Sequence, residues 1–360
     1  MMDTFDLLKK LTETQSPSGY EHRIAELISE LWQPYTESIT VDRIGSVIAT
    51  KPGKGDEPRP RLMLAAHIDE IALMATKLVD HNGYGFLRVT NIGGVDIRHL
   101  YAQPVIVHGR RDVPGVLASL PARMLPSERR SQPYGFDDLV VDPGLSIETL
   151  QELVDVGDFI SFRQPLRKLM GKTVTGKALD NRASVAAVTI CLEYLNGRHH
   201  DWDVVAVGTA QEETRLLGAY TGTFSQKPDA AIAIDVVFAK GAGLTDADVP
   251  ELNSGPVLDI GPNVHTGIYK ALQDTAESIE MDVSVMTHSR GSGTDAYGIQ
   301  VARSGVPTGL ISIPMRYMHT MVETLNLKDI ERTGRLLAEF ITRLDHGFLD
   351  EISQQMMEGE

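Results

Sequence analysis

The sequence predicts an α/β fold: a mixed, mostly parallel sheet with helices on both faces, interrupted by a small inserted β domain. Three observations predict it. Beyond residue 166, apolar strand-like runs alternate with helical patterns, the order that builds a sheet covered on both sides. From 75 to 165 the texture is different, with short β-type runs such as Phe86 to Thr90 and Pro104 to His108 punctuated by Gly, Pro and Asp. Residues 204–213 are an apolar run of the kind buried on both faces of a parallel sheet, and it ends in two adjacent carboxylates, Glu212 and Glu213.

The elements follow in order. Residues 3–13 and 20–32 carry Leu, Ile and Ala at helical spacing on either side of a Ser16-Pro17-Ser18-Gly19 turn. Residues 40–50 alternate like a strand around a Gly45 turn, and 52–60 is a polar loop. Leu62 to Met74 is one apolar segment broken by His67, Asp69 and Glu70. Inside the insertion, Pro126 to Pro143 reads as an exposed loop. Helices are predicted over 181–196, 264–279, 295–303 and 326–345, and strands over 203–208, 230–235, 256–260, 282–287 and 308–313. The expected domains are therefore a discontinuous α/β unit, 1–74 with 166–360, and an inserted β unit, 75–165.

Composition excludes several classes. The 360-residue chain has a formal net charge of -15, which argues against nucleic-acid or anionic-membrane partners. Cys191 is the only cysteine and sits on an apolar helical pattern, so it is neither half of an internal disulfide nor a placed nucleophile. The N-terminal stretch is amphipathic and charged, without the apolar core of a signal peptide, and no uncharged apolar run approaches the roughly 20 residues of a membrane span. A soluble, cytoplasmic protein is expected.

Charge at strand ends locates the chemistry, because an unpartnered buried charge is costly. His67 closes one apolar run and Asp69 follows two residues on, suited to hold a ligating imidazole; a lone His there is also a common core residue. Asp180 precedes an apolar helix and fits an N-cap as well as a ligand. Asp235, within Ala230 to Phe238, has no cap or surface face to explain it. Glu212 and Glu213 read as solvated loop residues or as a metal ligand beside a proton carrier. His319 lies just past the 308–313 strand, with Glu323 following at helical spacing. Two His and several carboxylates without Cys suit zinc, cobalt or manganese, and paired metals about 3.5–4 Å apart are a recurrent means of hydrolysing amides. Gly291 to Asp295 is a glycine-rich turn that either caps a helix or shapes a pocket. Arg215, Arg290, Gly293 and Thr294 are the candidate substrate contacts, the arginines being suited to acidic side chains. His81, His199, His200 and His346 read as surface residues, and no Gly-x-Ser-x-Gly elbow is present.

Ser18 to Glu21, Ala66 to Ile71, Leu179 to Arg182, Gln211 to Glu213, Ala233 to Val236 and Ile313 to His319 occur together and in order. In them the chain resembles, nearly end to end, the family of tetrahedral aminopeptidases, glutamyl aminopeptidases and proteins called cellulase M. The resemblance implies a zinc-aminopeptidase type of fold, an inserted dimerisation domain similar to a PDZ barrel, and a dimer building block that often assembles into a twelve-subunit tetrahedron. It also implies two divalent metals, with Asp180 bridging, His67 and Asp235 completing one site, Glu213 and His319 the other, Glu212 as general base and Asp69 orienting His67. Short peptides would be the substrates. Endoglucanase-like glycoside hydrolysis and a non-enzymatic metal-stabilised scaffold are the rival readings. The chain departs from the family pattern at Thr214-Arg215-Leu216-Leu217-Gly218, where Val-Gly-Leu-Arg-Gly is usual, and at Leu120 to Arg123.

Overall fold

The computed structural model of the chain describes residues 3–244 and 249–358. Its strands are β1 (Ser38–Val41), β2 (Val47–Lys51), β3 (Arg61–His67), β4 (Ala72–His81), β5 (Tyr84–Ile92), β6 (Pro104–His108), β7 (Asp112–Ala118), β8 (Val140–Ser146), β9 (Phe159–Phe162), β10 (Arg167–Lys168), β11 (Thr173–Gly176), β12 (Asp203–Thr209), β13 (Ala230–Phe238), β14 (Val257–Ile260), β15 (Ser284–Thr287), β16 (Thr308–Arg316) and β17 (Glu323–Asn326). The helices are α1 (Thr4–Glu13), α2 (His22–Trp32), α3 (Ile147–Leu153), α4 (Leu179–Tyr194), α5 (Glu212–Arg215), α6 (Leu217–Gln226), α7 (Thr266–Ser278), α8 (Asp295–Gln300), α9 (Leu327–Ile341) and α10 (Phe348–Glu358). None of the described helices is long and apolar enough to cross a membrane.

Eleven strands form one sheet, in the order β1-β2-β12-β3-β13-β16-β17-β11-β10, with β14 bonded to β16 and β15. The centre, β12-β3-β13-β16, is parallel; β2, β14 and β17 join it antiparallel. Strand alternation distributes the core. In β3, Leu62, Leu64 and Ala66 face the layer built on α1, α2, α4, α7 and α9, while Met63 and Ala65 face α6 and α8. Helix α4 has little amphipathic character because it is buried on almost every side, including Cys191.

The remaining six strands close into a barrel, β4-β5-β8-β7-β6-β9, running in sequence from Ala72 to Phe162. Closure leaves it without an open edge strand, and Leu73, Leu87, Val105, Val141 and Phe162 fill its interior. The barrel is tied to the larger sheet domain near the chain start. Arg23 of α2 makes a bidentate pair with Asp112 at 2.9 and 3.1 Å, and the Tyr20 ring stacks on His108 with centroids 5.7 Å apart.

Several local expectations are corrected. The apolar segment 62–74 is two strands, because the chain turns out of the sheet at Ile68 to Ile71 to enter the barrel. Pro126 to Pro143 is not loop throughout: short turns occupy Ser127–Arg129 and Phe136–Asp138, and β8 begins at Val140, whose neighbour Val141 is buried against β7. Glu323 opens β17 instead of continuing a helix from His319. His200 is buried, with Nδ1 donating to Trp202 O at 2.8 Å, whereas His81, His199 and His346 are exposed. The helix expected over 295–303 ends at Gln300.

Candidate metal centre

In an open parallel sheet, functional groups collect beyond the carboxyl ends of the strands. Here His67 closes β3, and Thr209, its register partner on β12, leads within a few residues to Glu212 and Glu213. Asp235 lies on β13, next to β3, and His319 follows β16, next to β13. Asp180 enters from the start of α4, where Asn181 Nδ2 donates to Ile234 O at 2.9 Å and pins the helix to β13. The backbone bends sharply to do this: Ala178, Gln211, Leu216, Tyr317 and His319 all have φ between 54° and 62°. Such conformations are disfavoured for side-chain-bearing residues and persist where surroundings enforce them.

Two groups of ligand atoms result. His67, Asp180 and Asp235 form one, and Asp180, Glu213 and His319 the other, each with its atoms within 4.8 Å of one another. His67 Nε2 is 3.0 Å from Asp180 Oδ1 and 4.0 Å from Asp235 Oδ1. His319 Nε2 is 3.3 Å from Asp180 Oδ2 and 3.6 Å from Glu213 Oε2. Glu212 belongs to neither group, with Oε2 3.8 Å from His67 Nε2.

Carboxylates beneath the cluster hold its backbone. The Glu212 and Glu213 N–H groups donate to the two oxygens of Asp69, each at 3.1 Å, and the Gln211 N–H donates to Glu21 Oε1 at 3.1 Å. Three successive amides are thus anchored, which fixes the turn that carries the glutamate pair. Asp69 also faces His67 Nδ1, 3.4 Å away, a nitrogen with no closer hydrogen-bond partner among the described residues. Glu323 bridges the far side, accepting from the Asp180 N–H at 3.1 Å and the His319 N–H at 3.0 Å. Gly94, from the barrel, offers its carbonyl to His319 Nδ1 at 3.2 Å. With Nδ1–H donating there, Nε2 is left as the nitrogen facing the carboxylates.

The electrostatics show what the cluster lacks. Burial first, then repulsion by Asp180, pushes Glu213 up to about 8. Asp235 also rises to about 8, again chiefly by burial, with Asp180 adding to it and His67 opposing. Glu212 is pushed to about 10 by burial, His67 opposing and Asp235, Asp295 and Asp69 adding. Asp180 is held low despite its burial, because His319 and His67 flank it, and His319 is lifted to about 9 against its burial by Asp180 and Glu213. Carboxylates this crowded and buried are poorly neutralised by two imidazoles. Oxygen and imidazole donors with no thiolate fit a divalent, borderline cation, so the residues present suit metal.

Of the candidate substrate contacts, Arg215, Gly293 and Thr294 line the cleft of about 610 Å³ above the cluster, while Arg290 is exposed and outside the lining. Thr294 also caps α8, accepting from the Ala296 N–H at 3.4 Å. Sequence reasoning gave no role to Glu21, Glu323 or the His288–Asp259 pair at the cleft wall. Asp295, whose carboxylate accepts from the Thr209 hydroxyl, was visible only as a helix cap.

A cluster of this kind under an open cleft is the working part of a metal-binding hydrolase. The model of the M42 glutamyl aminopeptidase family matches residues 45–336, and the chain belongs to that family and is a peptidase. It is 33% identical over 351 residues to the lysyl aminopeptidase of Pyrococcus furiosus, covering 95% of this chain and 98% of that protein. To the glutamyl aminopeptidase of Lactococcus lactis it is 27% identical, covering 96% and 97%. Among solved structures, the TET aminopeptidase of a marine-sediment thaumarchaeon superposes with a TM-score of 0.90 at 30% identity, covering 97% and 98%. The TET1 peptidase of Pyrococcus horikoshii gives 0.82 at 30% identity, covering 95% and 100%.

Proposed function

We propose that this chain is a metal-dependent aminopeptidase that releases N-terminal residues from short peptides. His67 and Asp235 would hold one divalent cation, Glu213 and His319 a second, and Asp180 both; zinc suits the donors, with cobalt and manganese as alternatives. The observation that carries this reading is the pair of ligand groups meeting on Asp180. Bound there, the cations would polarise the scissile carbonyl and bring the pKa of a water toward neutrality.

The chain's own residues do the rest. Glu212 takes a proton from the attacking water and returns it to the leaving amine. Asp69 keeps that carboxylate aimed through the two backbone bonds described above, and steadies His67. Glu323 and Gly94 orient His319. Glycoside hydrolysis, the rival for paired carboxylates, leaves two imidazoles at the centre of the cluster without a task.

Replacing Glu212→Gln tests the role directly. Turnover falls roughly 10²-fold to 10⁴-fold while metal content stays at the wild-type level; near-normal turnover in a fully metallated variant would sink the assignment. The chain is read as self-associating, a reading supported by the TET1 peptidase, which can assemble into a tetrahedron or a large octahedral shell, and the inserted barrel as its dimerisation domain. Light scattering of the purified chain reads this: a particle of several chains is expected, and a monomer at working concentration contradicts it.

A further inference from the structure

Among the described residues, the ionisable side chains that line the cleft outside the metal cluster are Arg215 and His288, both basic. His288 is not a stray surface imidazole. Its Nε2 lies 2.6 Å from Asp259 Oδ1, and the other Asp259 oxygen accepts from Ser312 Oγ at 2.7 Å. Asp259 is fully buried, whereas the His288 side chain keeps 21% of its surface exposed. A buried carboxylate is costly unless paired, and both of its oxygens are engaged behind the wall. The cleft therefore meets the imidazole and not the acid. The hydrogen bond that Nε2–H donates to Asp259 lifts the His288 pKa, with burial opposing, and Nδ1, the nitrogen not committed to Asp259, is a donor when the ring is protonated.

Position makes this wall part of the substrate cleft. Ser312 on β16 is the register partner of Asp235 on β13, and it also pairs with Val257 of β14, the strand that carries Asp259. Asp259 thus lies two strand spacings, about 10 Å, from the strand bearing a metal-ligand candidate. His288 follows β15, its N–H donating to Ile260 O at 2.7 Å. Between wall and cluster the lining is largely apolar, with Val237, Phe238, Met286 and Leu310.

On the aminopeptidase reading above, we infer that the His288–Asp259 pair determines which N-terminal residue the cleft accepts, favouring an acidic side chain over a lysyl one. Relatives of this chain carry both lysyl and glutamyl names, so membership leaves the sign open. The groups of this cleft supply it: an acidic side chain gains a hydrogen bond at His288, charge-assisted when the ring is protonated, and a lysyl ammonium meets Arg215 and an imidazole and, among the described residues, no free carboxylate on the wall. Arg215, exposed at the rim, adds to the same sign.

The test compares kcat/KM for glutamyl, leucyl and lysyl p-nitroanilides with metal-loaded wild type, His288→Gln and His288→Lys. The wild type prefers glutamyl to lysyl. In His288→Gln the glutamyl-to-leucyl ratio falls about tenfold to a hundredfold, the worth of one hydrogen bond to a charged group. His288→Lys, which keeps a cation beside Asp259, retains a ratio well above that of the glutamine variant. Calorimetric binding of L-glutamate and L-lysine ranks them in the same order without turnover. A wild type that cleaves lysyl as fast as glutamyl substrate, or a glutamine variant with an unchanged ratio, overturns the inference while leaving the aminopeptidase reading standing. No cleavage of any of the three overturns both.

Discussion

Asp180 is the residue on which the two candidate ligand groups meet, and its neighbours explain why it stays ionised while the others do not. His67 and His319 flank its two oxygens at 3.0 and 3.3 Å; Glu213 and Asp235 have no such pairing on both sides and rise to about 8 from 4.5 and 3.8. A sign follows for the metal-free protein. Groups raised in the folded state keep protons that the unfolded chain has lost, so their cost is absent below about pH 4 and grows as pH climbs toward 8. His319, raised to about 9, acts in the same direction, since its favourable pairing disappears as it deprotonates. Thermal unfolding of chelated protein is therefore expected at progressively lower temperature from pH 5 to pH 8, and saturating divalent cation should remove most of that trend. A chelated protein equally stable across this range contradicts the charge reading of the cluster.

At the scale of elements, what was legible in the sequence follows from burial. The runs that carry His67, Glu212 with Glu213, and Asp235 were readable because parallel strands covered on both faces tolerate few charges, so each exception stood out. The structure brings those residues, with Asp180 and His319, to one sheet edge. Less legible was anything carried by backbone. Glu323 sits four residues from His319 and mimics a helical pair, yet it opens β17 and works by accepting two amides. Glu21 was visible only as part of the Ser18 to Glu21 motif, with no task attached, whereas it is buried and holds Gln211. The inserted barrel was visible as β texture, but its contact with the centre hangs on Gly93 and Gly94, residues with no side chain to notice. A Cβ on Gly94 would collide with the His319 ring, and one on Gly93 would come within 3.1 Å of Glu213 Oε2. Gly94→Ala should therefore weaken metal retention at the His319 side and lower turnover at least tenfold, with the melting temperature of the metal-free protein little changed. Metal analysis after dialysis checks this; full retention would mean the loop moves aside freely.

On the scale of the whole molecule, the sheet domain supplies rigidity and the barrel completes the site. The large core built on α4 and α9 and the smaller one on α6 and α8 grip both faces of β3, β12, β13 and β16, so the strand ends hold their side chains at fixed spacing. The barrel has its own core and reaches the cluster from the other side through Gly94. Overall architecture was legible from alternation of patterns along the chain, while the closing of the cleft by a distant loop depends on tertiary packing that no local pattern encodes. The central claim is that two cations share Asp180 and are required for peptide cleavage. Its most direct measurement is to strip the protein, add zinc in steps, and follow bound metal together with cleavage of an aminoacyl p-nitroanilide. Two equivalents per chain at full activity, abolished again by chelation, are predicted; saturation of activity at one equivalent, or cleavage that survives complete removal of metal, would contradict the account.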